Sequence, residues 1–193
     1  RDTLSARDLG NLLERSARLI FDRFNLHHVG IFLVDKNREY AILAASPTEE
    51  GQVMIAERFK VAVGDPNPIG RVAATGESQI LFDTRQEAGL IQAPLLSDTL
   101  SEITLPLKAE QKVLGVLDIQ SDKAQAFKQG DIAIFQVLAD QLATAIERTR
   151  LAEDVAQTLE ELDRSYGRYT REGWQNLAGS GHIRNAGYRF NNI

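Results

Sequence analysis

Hydrophobic positions along this chain change their period several times, and each change marks an element. Leu9, Leu13, Ser16, Ile20 and Phe24 recur at helical spacing, Leu12 and Ala17 widen the stripe, and Ser5 with Asp8 reads as an N-cap pair. Asn25 ends that helix. Val29, Ile31 and Leu33 then alternate with Gly30, Phe32 and Val34 in a strand buried on both faces, which a turn at 35–38 returns as a strand over 40–46. One or two helical turns at 52–58 lead to a strand at 59–63. Asn67 as N-cap, Pro68 at the first helical position and Gly76 just past the end frame a helix over 69–75. Its free amides either hold an anion or are satisfied by Asn67 and water.

The stretch 101–121 organises the rest. It reads as two strands joined by a polar loop at 109–111, with Leu107 facing Val113, Leu105 facing Gly115 and Ile103 facing Leu117. That face is apolar. The other carries Glu102, Thr104, Pro106, Leu114, Val116 and Asp118, a mixture that predicts helices on the first side of the sheet and a partly polar cavity on the second. A short strand at 79–82 precedes an irregular segment at 83–100. With Leu90, Ile91, Leu95 and Leu96 it is too apolar to be simply disordered, and it is the expected lid.

A long helix is expected from Gln129, with Phe127 as a hydrophobic staple, Asp131 as a first-turn acid and a stripe of Ile134, Phe135, Leu138, Leu142, Ala145, Ile146 and Thr149. The period then tightens. Ala152, Val155, Leu159, Leu162, Tyr166 and Tyr169 keep a strict three-four alternation, a narrow seam whose natural partner is a second copy of the chain. From Arg171 the pattern dissolves into a glycine-punctuated tail, whose aromatics Trp174, Tyr188 and Phe190 read either as the start of a following module or as a cap on the helix end.

Composition narrows the function classes. A chain of 193 residues, 43% hydrophobic, suits one core and an appendage, and it is expected to be an excerpt because it opens on Arg1. A net charge of -5 without clustered basic residues argues against nucleic acid. No apolar run is long enough for direct membrane insertion. Cysteine is absent, which removes disulfides, thiolate metal sites, thiol nucleophiles and thioether-linked cofactors.

The order of helix, hairpin, residues 70–77 (GRVAATGE), strand, lid, residues 101–107 (SEITLPL), residues 113–121 (VLGVLDIQS) and residues 138–147 (LADQLATAIE) closely resembles a bacterial GAF domain. The resemblance implies an α+β fold related to PAS domains: an antiparallel sheet of about six strands, terminal helices on one face, pocket and lid on the other. It implies a GAF sensory domain over 1–151, a coiled-coil signalling helix over 152–171 and a linker or following module over 172–193. It also implies a cytoplasmic role in signal transduction, often in two-component sensor histidine kinases, chemoreceptors or cyclic-nucleotide enzymes. The cyclic-nucleotide motif is only partly met, by Lys123, Phe127 and Asp131, with Asp122 and Ile132 departing. A covalent bilin and the cysteine chemistry of sulfoxide-reductase members are excluded by composition.

The candidate pocket is bounded by Ile69, Arg71, Phe82, Asp83, Glu102, Thr104 and Asp118, with an unidentified small molecule as its expected ligand. Glu102 and Asp118, if buried together, raise each other's pKa. They are read as groups that hydrogen-bond a ligand or the lid. His27 and His28 lack ligand spacing for a metal, point to opposite faces and read as surface or edge residues. No catalytic constellation is visible, so the segment is expected to be no enzyme. Two functions remain: a ligand-sensing, homodimeric relay through the terminal helices, or a domain without ligand that serves only as dimerisation scaffold.

Overall fold

The computed structural model describes residues 2–86 and 94–179, with side chains from Asp8 to Tyr166 except Pro94. In chain order come α1 (Asp2–Phe24), β1 (His28–Val34), β2 (Tyr40–Ala45), α2 (Glu49–Ala56), β3 (Lys60–Ala62), α3 (Pro68–Thr75), β4 (Gln79–Leu81), β5 (Ser101–Ala109), β6 (Lys112–Ser121) and α4 (Gln129–Gly179). Short 3-10 turns lie at Thr84–Gln86 and Pro94–Leu96. The strands form one antiparallel sheet in the order β3-β2-β1-β6-β5-β4, the α+β architecture expected. The chain divides into two compact units, residues 1–150 and 151–193.

Local signals place most elements. Asn67 accepts a 2.8 Å hydrogen bond from the Gly70 amide, Pro68 opens α3, and Gly76 closes it at φ 66°, a left-handed conformation that costs glycine little. Asn25 leaves α1 at φ 49°. α2 begins three residues earlier than expected because Thr48 caps it through the Gly51 amide, with Glu49 and Glu50 in the favourable first turn. α1 runs from Asp2, so Ser5 lies inside the helix and is no N-cap; nothing upstream of it breaks the helix.

The sheet is covered on both faces. On one, Leu13, Ala17 and Ile20 of α1 and Phe135, Ala139, Leu142, Ala143 and Ile146 of α4 pack on Ile103, Leu105, Leu107, Leu117 and Ile119. On the other, α2, α3 and Leu96 cover Phe32, Leu43, Val113 and Val116. Gly115 permits the close approach of β1 and β6, since a Cβ there would stand 2.2 Å from the Phe32 carbonyl oxygen.

Three expectations fail here for stated reasons. The central turn has only Glu110 and Gln111 outside the ladder, with Glu110 at φ 52°, so Leu107 pairs with Gly115, Leu105 with Leu117 and Ile103 with Ile119. A bulge between Leu107 and Lys108 then swaps the faces of two residues, putting Leu114 in the helix-side core and Val113 on the cavity side. Ile134, expected in the core stripe, is 48% exposed; Phe135 and Ala139 take the inward positions. Finally, α4 continues past Arg171 to Gly179, because one glycine costs a helix only ~1 kcal/mol.

In the 151–193 unit, Val155, Leu159, Leu162 and Tyr166 of the expected seam are exposed, as is Ala152. Tyr169 and Trp174 lie on α4 with side chains outside the described set, and Tyr188 and Phe190 fall outside the described residues. Among the described residues no helix is long and apolar enough to cross a membrane.

Candidate functional site

Alternation along four strands builds a polar patch on the cavity face. Gln79, Thr104, Asp118 and Gly30 stand abreast in one row across β4, β5, β6 and β1, and Leu81, Glu102, Gln120 and His28 stand abreast in the next. Glu102, Thr104, Asp118, Gln120 and His28 are all buried. Burial this deep normally excludes acids unless they are paired.

The patch is a connected network. Thr104 Oγ1 lies 3.1 Å from Glu102 Oε1 and 3.4 Å from Asp118 Oδ1, and Gln120 Nε2 donates to Asp118 Oδ2 at 2.6 Å. Thr99 Oγ1 donates to Gln120 Oε1, so the chain of bonds reaches the end of the 83–100 segment. Leu90 and Ile91 of the expected lid fall outside the described residues, but its ends are tied: Thr84 Oγ1 donates to Thr99 O at 2.7 Å, and Leu100 N donates to Ser121 O of the sheet at 2.8 Å.

Electrostatics follow from the burial. Desolvation pushes the Glu102 carboxyl well above the usual carboxylate range, helped by the Asp118 charge and a hydrogen bond to it. Desolvation also raises Asp118, to about 6, while hydrogen bonds from Glu102, Gln120 and Thr104 pull it back. The same burial therefore biases both acids toward their protonated forms. Among the described residues no lysine or arginine lines the cavity beside them. That cavity, of about 50 Å³, lies between Phe32, Met54, Asn67, Ile69, Leu96, Glu102, Asp118 and Gln120. It has room for a water or an ammonium-sized group.

Of the seven pocket residues expected from the sequence, Ile69, Glu102 and Asp118 line this cavity and Thr104 braces the two acids. The other three do not join them. Arg71 is exposed and donates to Pro66 O at 2.6 Å, because α3 turns it outward. Phe82 is 46% exposed. Asp83 is engaged by Arg85 at 2.8 Å, which holds its carboxyl down at about 2 and fixes the start of the Thr84–Gln86 turn. Sequence reasoning missed Gln120, Thr99, Phe32 and Leu96. Gln120 was findable, since it follows Asp118 by two and shares its face.

His28 reverses the expectation of a surface or edge histidine. It is 1% exposed, with Nδ1 2.9 Å from Thr48 Oγ1 and Nε2 buried without a hydrogen-bond partner. The cap of α2 closes over it. Burial, then the charge of His27, lowers its pKa to about 4, so the ring is neutral. Gln79 Oε1 is likewise buried and unpartnered. Among the described residues no group of three or more His, Cys, Asp or Glu could hold a metal.

A family model described as the GAF domain matches residues 6–147. No curated protein matches the chain. Among solved structures, the chain is similar to free methionine-R-sulfoxide reductase of Neisseria meningitidis in complex with its substrate, at 25% identity over 75% of this chain and 81% of that one, TM-score 0.63. It is similar to the GAF domain of a phosphoenolpyruvate-protein phosphotransferase of Coxiella burnetii, at 20% identity over 76% and 86%, TM-score 0.66. A third is a methyl-accepting chemotaxis protein, residues 122–287, at 17% identity over 75% and 92%, TM-score 0.63. The reductases overturn one expectation. Enzymes share this fold, so the lack of a legible constellation does not make the segment non-catalytic.

Proposed function

The chain belongs to the GAF domain family, and from that membership we propose that it is a regulatory sensing domain whose ligand carries a cationic, hydrogen-bond-donating group. The observation that supports this is the buried Glu102–Asp118 pair, which has hydrogen bonds from Thr104 and Gln120 but, among the described residues, no basic side chain lining its cavity. Two buried acids with no counter-charge are expensive, and a bound cation offsets that cost. As it stands the cavity takes only a small head group, against ~300 Å³ or more for a whole small molecule, so binding requires Leu96 to move. Thr99, bonded to Gln120, couples that movement to the acids.

The signal then passes to the helix that follows, in the cytoplasm. The seam of Ala152, Val155, Leu159, Leu162, Tyr166 and Tyr169 joins two copies in this reading, and its exposed leucines support it. Thermal melts with a panel of primary amines and the matching alcohols at pH 7.5 test the site. At least one amine should raise the melting temperature of the parent and not that of a folded Glu102→Gln, Asp118→Asn variant. No stabilisation across the panel would reject the ligand and leave the scaffold reading, which the small cavity favours. Under either reading Leu159→Asp with Leu162→Asp should abolish dimers measured by sedimentation.

A further inference from the structure

One buried polar group on the cavity face takes no part in the acid network. His28 stands in the same row as Glu102 and Gln120 and is buried, yet its Nε2 has no hydrogen-bond partner among the described residues. An unpaired ring nitrogen at that depth is costly enough to call for a reason.

The hydrogens around Thr48 decide what that nitrogen can do. Thr48 Oγ1 has three neighbours: His28 Nδ1 at 2.9 Å, Ser46 Oγ at 3.3 Å, and the Gly51 amide, which donates to it at 3.2 Å. A hydroxyl donates once and accepts twice. If Ser46 donates to Thr48 and Thr48 donates to Nδ1, every hydroxyl hydrogen has an acceptor, and the neutral ring carries its own hydrogen on Nε2. If Nδ1 donates to Thr48 instead, Thr48 must donate to Ser46, whose buried hydroxyl hydrogen then has no acceptor among the described residues. The first arrangement leaves one orphan and the second leaves two, so the count assigns the hydrogen to Nε2.

This donor faces the interior of the patch. A Cβ at Gly30 would stand 3.4 Å from His28 Nε2 and 2.9 Å from Cε2 of Phe32, so ring nitrogen and phenyl edge meet over Gly30. Gly30 pairs with Asp118, about 5 Å away on the next strand, and Phe32 and Asp118 both line the cavity under Leu96. We propose that His28 is a specificity-determining residue of that site: the acids take the ligand's cationic group, and Nε2–H takes an acceptor oxygen carried two or three bonds from it, once the Phe32 ring turns aside. The proposal rests on the acid-pair reading and adds a second recognition point to it. A ligand lacking the oxygen leaves the buried N–H unpaired, which is how a site rejects an apolar isostere.

Two isosteric probes separate the two points, 2-methoxyethylammonium and n-butylammonium, titrated into the full chain at pH 7.5 and followed by amide NMR shifts at Glu102, Thr104 and Asp118. Both should bind in the millimolar range, the ether about tenfold more tightly. His28→Asn places an amide oxygen where Nδ1 stood, keeps the bond from Thr48 and deletes Nε2, so it should hold butylammonium as the parent does and lose the preference for the ether. Histidine nitrogen NMR of the parent needs neither ligand nor variant: with three histidines in the chain, the His28 signals should show hydrogen on Nε2 and a bare Nδ1. Hydrogen on Nδ1, equal affinity of the parent for both probes, or an ether preference kept by His28→Asn would each overturn the proposal and leave the acid pair standing as a cation site. Binding of neither probe would overturn both.

Discussion

The two faces of the β5–β6 hairpin are equally buried and chemically opposite. Ile103, Leu105, Leu117 and Ile119 are wholly buried under α1 and α4, and on the reverse of the same strands Glu102, Thr104 and Asp118 are buried almost as deeply. Removing each large apolar side chain from water contributes about 1.5–3 kcal/mol. Removing the two acids costs stability, and their raised pKa values record that cost. Depth of burial alone therefore says little about what a residue does for the fold.

The sharpest way to break the symmetry is substitution on each face in turn. Leu105→Ala, on the helix side, should lower stability by about 2–5 kcal/mol in a urea titration, because α1 and α4 cannot both collapse into the hole. Asp118→Asn should act with the opposite sign and more weakly. Its folded pKa lies above the ordinary value, so its stabilising contribution is complete below about pH 4 and is lost as pH rises through about 6. The variant should gain up to about 3 kcal/mol over the parent at pH 8 and nothing at pH 3.5. A uniform loss at both pH values would mean that Asp118 is structural and that the cost argued for it is absent. His28 runs the other way, losing stability as pH falls from its ordinary 6.5 toward about 4, so the comparison must be made against the parent at each pH.

The smallest effect should come from Thr104→Val. It keeps the shape and removes the hydroxyl that braces both acids, lowering stability by about 1 kcal/mol. Because that hydroxyl holds the two pKa values down, carbon-detected NMR titration should show both acids titrating higher in the variant. An unmoved titration would remove Thr104 from the network.

Much of the cavity face was legible beforehand. Strict alternation put Glu102, Thr104 and Asp118 on one face, and a register error of two residues could not change that, because side chains repeat every second position. The bulge beside Leu107 could, and it reversed Val113 and Leu114. No such alternation fixes Arg71, Phe82 and Asp83, and α3 turns Arg71 outward while Asp83 pairs with Arg85.

What the amino-acid order determined by itself was whatever depends on neighbours within a few positions: the Asn67–Pro68–Gly76 frame of α3, the hairpins, the sheet's two chemically different faces and the family they resemble. Tertiary structure alone decided the burial of His28 beneath Thr48 and the closure of the cavity by Leu96. The reason is physical. Local conformation is set by short-range sterics and hydrogen bonds, whereas desolvation depends on which distant segments arrive to exclude water, and no spacing along the chain encodes that arrival.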